Sequence, residues 1–221
     1  MVLDVALSGS GGRFAWALQG SRLHGLGRTK KFKLGYGIRF TSFVAANKYY
    51  TTAPAKYTSP VQNIGTIFSE TFTENIDTIT TATAVTNSLN AAFHLHYDFN
   101  DKWGAGTNID VIGFSFGRTR SFNIISSVYD PNQAPIQKAQ PTRFNLLLTS
   151  DNDIGSLNSE FYVRYAINPS VSLRAGYTFL FSEYRTERDL SFDGGRIVND
   201  RYRHKAAMGL LALSLKPFQK I

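Results

Sequence analysis

The sequence predicts an all-β chain in one domain covering 1–221: an eight-stranded antiparallel up-and-down transmembrane β-barrel with short periplasmic turns and long extracellular loops. Three observations predict it. Apolar and polar residues alternate two by two along most of the chain, and successive side chains of a strand point to opposite faces. The apolar parity is crowded with aromatics, while the other parity carries Gly, Ala, Ser, Asn and charge. Connections alternate between short and long after the first hairpin, the asymmetry expected of a barrel that spans a membrane.

The stretch 93–116 shows the pattern best. Phe93, Leu95, Tyr97 and Phe99 alternate with His94, His96 and Asp98. Asn100, Asp101 and Lys102 form a polar turn, after which Trp103, Ala105, Thr107, Ile109 and Val111 alternate with Gly104, Gly106, Asn108 and Asp110. Parity slips near Val111 and Ile112, so that Phe114 and Phe116 again share the aromatic face; a β-bulge accounts for such a slip.

The other strands follow in order. Leu3, Val5 and Leu7 alternate with Asp4, Ala6 and Ser8 up to a glycine turn at Gly9, Gly11 and Gly12. Phe14, Trp16 and Leu18 continue over 13–22, and the glycines and charges of 23–31 read as a turn. Leu34, Tyr36, Ile38 and Phe40 oppose Lys33, Gly35, Gly37, Arg39 and Thr41 in a strand running to about residue 50. The segment 51–77, with Pro54 and Pro60, reads as a loop, and the Thr-rich 78–88 as strand extending beyond the membrane. Residues 123–141, with three prolines, read as a second loop. The apolar 143–149 fits either wall or loop. Strands are predicted over 157–167 and 171–185, joined by Asn168, Pro169 and Ser170, and over 200–215, after a charged loop at 186–199. Eight strands bring both chain ends to the short-turn side.

Bulk composition excludes several classes. The mean hydropathy of -0.19 reflects alternation averaging out apolar content. No apolar run reaches the ~18 residues that suggest a helical span. The absence of cysteine removes disulfides, thiolate metal sites and cysteine nucleophiles. The formal charge of +8 is spread along the chain, with no nucleic-acid motif, so anionic head groups, acidic glycans or a barrel interior are its expected partners rather than nucleic acid.

Parity sorts the charged and aromatic residues. A polar network inside the bore is expected from Asp4, Lys33, Arg39, His94, His96, Asp98, Asp110, Glu160, Arg164 and Arg174. Eight strands leave an interior just wide enough for side chains, and opposite buried charges pair. A membrane-facing aromatic belt is expected from Phe14, Trp16, Tyr36, Tyr97, Phe99, Trp103, Tyr165, Tyr177, Phe179 and Phe181. Arg201, Arg203 and Lys205 read as a basic rim facing lipopolysaccharide. His94 and His96 have the i, i+2 spacing of two metal ligands, but no third ligand follows from spacing, so a satisfied interior pair is expected and no metal or cofactor is. His204 near the outer side is the residue on which a lipid-modifying enzyme would turn.

The segments VLDVALSGSGGRFAWAL, NIDVIGFSFG, FNLLLTSDNDIGSLNSEFYVRYAIN and NDRYRHKAAMG resemble the small outer-membrane β-barrel proteins of Bacteroidetes-type bacteria. The resemblance spans nearly the whole chain. It implies an outer-membrane location and supplies no catalytic residues; no basic segment followed by an apolar core opens the chain, so a secretory signal is expected to have been removed. One departure is the C-terminus: such barrels usually finish on an aromatic residue, whereas this chain ends LKPFQKI, with Phe218 three residues short. The function expected is that of a non-enzymatic barrel that contacts lipids, lipopolysaccharide included, and other outer-membrane proteins through its loops. It would serve as a structural or binding barrel, or as an accessory subunit of a larger assembly. A lipid-modifying enzyme, a narrow solute channel and a soluble lipocalin-like carrier are the alternatives.

Overall fold

A computed structural model describes residues 1–53, 76–125, 135–148, 152–192 and 197–217. Eleven strands form one antiparallel sheet: β1 (Val2–Ser10), β2 (Arg13–Leu26), β3 (Phe32–Thr52), β4 (Thr78–Asp98), β5 (Trp103–Phe116), β6 (Arg120–Ile125), β7 (Ile136–Pro141), β8 (Phe144–Leu146), β9 (Leu157–Ala166), β10 (Val171–Phe192) and β11 (Ile197–Leu215). Eight of them close the predicted barrel: β1, β2, β3, β4, β5, β9, β10 and β11 pair in that order, and β11 returns to β1 with Leu3 opposite Leu215. Closure leaves no free edge, which lipid, having no hydrogen bonds to offer, would not tolerate. The bulge falls where parity slips: Ala91 pairs with Ile112 and Ala92 with Asp110, leaving Val111 extra.

The wall is turned with its greasy side outward. Leu3, Val5, Leu7, Phe14, Trp16, Leu18, Ile38, Phe93, Val163 and Leu213 are exposed, while Asp4, Arg39, His94, Asp110 and Glu160 are buried. A water-soluble barrel would have the reverse, so this exterior is that of a protein solvated by hydrocarbon. All ten predicted belt residues sit on the outward parity. Tyr97, Phe99, Trp103 and Tyr165 flank the short turns, with the Trp103 and Tyr165 rings 4.8 Å apart.

A second closed ring stands on the first. β1 and β2 stop at the Gly11-Gly12 turn, above which β11 pairs directly with β3, Tyr202 opposite Thr52. On the opposite side β6 pairs with the top of β4, β7 with β6, and β7 with β10 at 184–186. The wall therefore narrows from eight strands to six: β3, β4, β6, β7, β10 and β11. In this crown, side-chain polarity reverses. Tyr50, Ile79, Phe122, Ala139, Tyr184, Leu190 and Tyr202 point inward into one cluster, each 0–1% exposed. The Tyr50 ring meets Phe122 and Tyr184 edge-on, with centroids 5.3 and 5.5 Å away, a favourable aromatic geometry.

The structure corrects three expectations, two of them in the crown. Residues 123–141 are not simply a loop, since 120–125 and 136–141 are paired strands. The charged segment 186–199 is largely strand, because β10 and β11 stay paired out to Phe192 opposite Ile197. The turn at 23–31 is shorter than its glycines suggest, since Gly25 and Leu26 still pair with Lys33 and Phe32. In the two crown segments the missing cue is the same: water covers the outer face of these strands, so they lack the outward aromatics that mark the wall. Of the long loop at 51–77, residues 54–75 lie outside those described, as do 126–134.

Residues 144–146 belong to the wall. β8 pairs with Ile112, Gly113 and Phe114 of β5, and Leu146 bridges to Ile154. Gly155, with φ +78°, lets this return lie flat: a Cβ there would strike the Asn145 side chain and the Phe144 carbonyl. Gly155→Ala is expected to cost more than about 1 kcal/mol of stability, read from urea unfolding of the detergent-solubilised barrel. A neutral substitution would mean that the return is not packed as described.

Candidate functional site

The bore is occupied from wall to wall. Arg39, on the inward face of β3, is fully buried. Its Nε and Nη2 donate to Asp110 Oδ1 at 2.9 and 2.6 Å, its Nη1 to Asn108 at 2.5 Å, and Nη2 also reaches the Asn158 carbonyl. Glu160 Oε1 lies 3.2 Å from Nη1. The second Asp110 oxygen accepts from Asn90 at 2.8 Å and from the Asn158 N–H at 3.0 Å. Glu160 Oε2 accepts from Asn108 at 2.8 Å and Arg174 Nη1 at 3.1 Å. Arg174 lies over the Tyr162 ring at 4.4 Å and 3.6 Å from Asp4, and Asp4 accepts from Gln19 at 3.3 Å. Alternation explains the arrangement: every one of these residues holds the inward parity of its strand, and small inward neighbours such as Gly106 leave room for the long ones. A Cβ at Gly106 would sit 2.6 Å from the Tyr162 hydroxyl.

The ten residues expected in the bore are thereby placed. Asp4, Arg39, Asp110, Glu160 and Arg174 form the ion-paired centre, with His94 Nε2 beside it, 3.2 Å from Gln19 Nε2. Lys33, His96, Asp98 and Arg164 form a second group nearer the short turns. There Asp98 gathers the Lys33 ammonium, Arg164 Nη2 at 2.7 Å and His96 Nε2 at 2.9 Å. His94 and His96 do not converge on a common point: one faces Gln19, the other lies between Asp98 and the Tyr162 hydroxyl. Among the described residues no group of three or more His, Asp or Glu has metal-holding geometry.

Sequence reasoning missed Asn145. It lies on β8, 0% exposed, and its Nδ2 donates to Asn90 Oδ1 at 2.7 Å while its Oδ1 accepts from Ser115 and from the Ser156 N–H. It ties the extra wall segment into the centre. The signal was one polar residue in the apolar run 144–148.

Above the charged centre the bore is closed twice. Phe43, Leu180 and Met208 pack with Ala15, Ala45 and Ala206 into an apolar layer, and the crown cluster sits beyond it. Between the two, Thr86 and Ser182 hydrogen bond at 2.7 Å. The void between layer and centre is ≈ 10 Å³ and that beside Asp4, His94 and Arg174 is ≈ 40 Å³, room for isolated waters rather than a path.

The basic rim is corrected. Arg201 Nε and Nη2 both bind Glu183 at 2.9 Å, Arg203 Nη2 binds the same carboxylate at 2.9 Å, and both guanidiniums also reach the Asp153 carbonyl. Arg203 is 3% exposed and stacks on Phe181, 4.4 Å from the ring centroid. Glu183, fully buried beside Thr142, Gly155 and Ser156, draws these cations in because an unpaired carboxylate there would be costly. Of the three, Lys205 is exposed. His204 donates from Nδ1 to the Tyr49 carbonyl at 2.9 Å. Burial holds its pKa below the ordinary histidine value, as do the Arg13 and Lys48 charges, against the Tyr49 bond. Ser182, opposite it, is engaged with Thr86 instead, so the two do not form a nucleophile–base pair.

No family model matches the chain, and no curated protein does. Among solved structures it resembles Neisserial surface protein A, at 12% identity over 97% of this chain and 93% of that one, with a TM-score of 0.42. It also resembles the CymD monoaromatic hydrocarbon channel, at 8% identity over 97% and 87%, with a TM-score of 0.25. A Pseudomonas aeruginosa FadL homologue is 10% identical over 91% and 67%, with a TM-score of 0.24. Likenesses this faint leave the barrel resting on the pairing and burial described above.

Proposed function

We propose that the chain is a non-enzymatic, non-conducting barrel of a bacterial outer membrane, akin to the small barrels of Bacteroidetes-type bacteria, that holds a folded crown at the cell surface as a binding platform. The observation that carries this reading is the doubly closed bore: a buried ion-paired centre and, above it, an apolar layer and an aromatic crown core. A channel has no use for such filling. A scaffold does, because it fixes the strands that emerge beyond the bilayer. The apolar exterior supports residence in a membrane, and closure into a β-barrel supports the outer one. Exposed Lys205, beside the glycine turn with Arg13, suits contact with lipopolysaccharide phosphates. The residues connecting crown strands are where an outer-membrane protein partner would bind, and that partner makes the chain an accessory subunit of a larger assembly.

Planar-bilayer recording tests the closed bore. The purified barrel is expected to insert without ohmic steps. Stable unitary conductance in the unmodified protein would overturn the reading in favour of a narrow solute channel.

A further inference from the structure

The end opposite the crown is built differently. A bowl of ≈ 650 Å³ opens among the short turns, lined by Lys30, Lys31, Lys33, Lys102, Arg164 and Lys216 against two carboxylates, Asp98 and Asp101. That leaves four cations in excess. Beneath it lies the small polar void lined by His94, His96, Tyr162, Arg164 and Arg174, in which the buried Nε atoms of Arg164 and Arg174 have no hydrogen-bond partner. Asp98 engages Lys33 and Arg164. Lys216, half-buried at the end of β11, has no ion pair among the described residues. Burial lowers its pKa below the ordinary lysine value, and the Arg164 and Lys33 charges press the same way, against Asp98.

We infer that this mouth is a binding site for a phosphate group carried by a small molecule. Five elements supply the cations from different sides: the turn before β3, β3 itself, the turn before β5, β9, and the end of β11. So many donors exceed what two carboxylates can accept and suit the several oxygens of a phosphate. The volume fits a small ligand rather than a macromolecule. The bowl is walled by turn residues and opens along the barrel axis, which favours a soluble phosphate over a lipid head group. Because the bore above is closed, the ligand docks and does not pass. The inference rests on the closed-barrel reading in that respect alone.

The probe is inorganic pyrophosphate, titrated calorimetrically into the full chain in a nonionic detergent. Saturable, salt-sensitive binding is expected. Lys216→Gln should weaken it roughly tenfold, the loss of one charged hydrogen bond, and Lys102→Gln should weaken it further. Lys48→Gln, at the crown end, should leave it unchanged. Each variant is checked for the same heat-modifiable migration in gels, so that misfolding is recognised. A second arm adds phosphatidylglycerol to the micelles. Competition there assigns the site to phosphate on a lipid, and its absence to phosphate on a solute; both keep the site. No saturable binding in either arm, or binding indifferent to Lys216, overturns it. A barrel that stays silent in bilayers yet ignores pyrophosphate overturns this inference and leaves the closed barrel standing.

Discussion

Arg39→Met is expected to destabilise the barrel by about 3–5 kcal/mol, the cost of breaking a buried ion pair from one side. The guanidinium serves two carboxylates, Asp110 and Glu160, and two amide oxygens, on Asn108 and Asn158. Its removal strands Asp110, whose remaining partners are two N–H donors with no charge to offer. Glu160 keeps Arg174 and suffers less. The double variant Arg39→Met with Asp110→Asn is expected to recover part of the loss, because replacing both halves of a buried pair is far cheaper than removing one. Urea titration in lipid vesicles, followed by the fluorescence of Trp16 and Trp103, measures this. A single variant within about 1 kcal/mol of the parent, the range typical of exposed pairs, would show that water reaches the centre and screens it.

The second large effect is in the crown. Phe122→Ala should remove about 3–5 kcal/mol from that ring, the usual cost of deleting a buried aromatic side chain. Phe122 is packed between Tyr50 and Tyr184, at 5.3 and 5.1 Å, and Tyr184 is anchored below by hydrogen bonds from its hydroxyl to the Val85 carbonyl at 2.9 Å and from the Val85 N–H at 3.1 Å. The loss should be local, because the apolar layer and the charged centre do not include Phe122. Hydrogen exchange should therefore quicken at 120–125 and 136–141 while β1, β2 and β5 stay protected. Uniform quickening would mean that crown and wall unfold as one unit.

Much of the wall was legible from alternation, and the reason is physical. Hydrocarbon solvates the outside, so each strand carries outward residues such as Leu34, Ile109 and Val163 and inward ones such as Arg39, Asp110 and Glu160, and parity alone separates them. The crown was not legible because the rule inverts where lipid ends. Tyr50, Tyr184 and Tyr202 point inward as in a water-soluble protein, and nothing in the local pattern marks the crossing. β6 and β7 are short, and the fully buried apolar residues they give the crown core are Phe122 and Ala139, with Ile124 packed beside them. The candidate bore residues were legible for the same reason as the wall, whereas Asn145 was not, since one asparagine in an apolar run does not announce a neighbour 55 positions away. Charge counting named a basic rim, but it had no means of seeing that Glu183 holds Arg201 and Arg203 against the wall.

The junction of Thr51 and Thr52 with Arg203 and Tyr202 has a bearing on biogenesis. Thr51 and Arg203 stand 152 positions apart in sequence, so the upper ring has no seal until β11 has been threaded home. An unfinished or arrested chain would present its tyrosines bare, as bait for quality-control proteases. An intact upper ring thus certifies that insertion ran to completion.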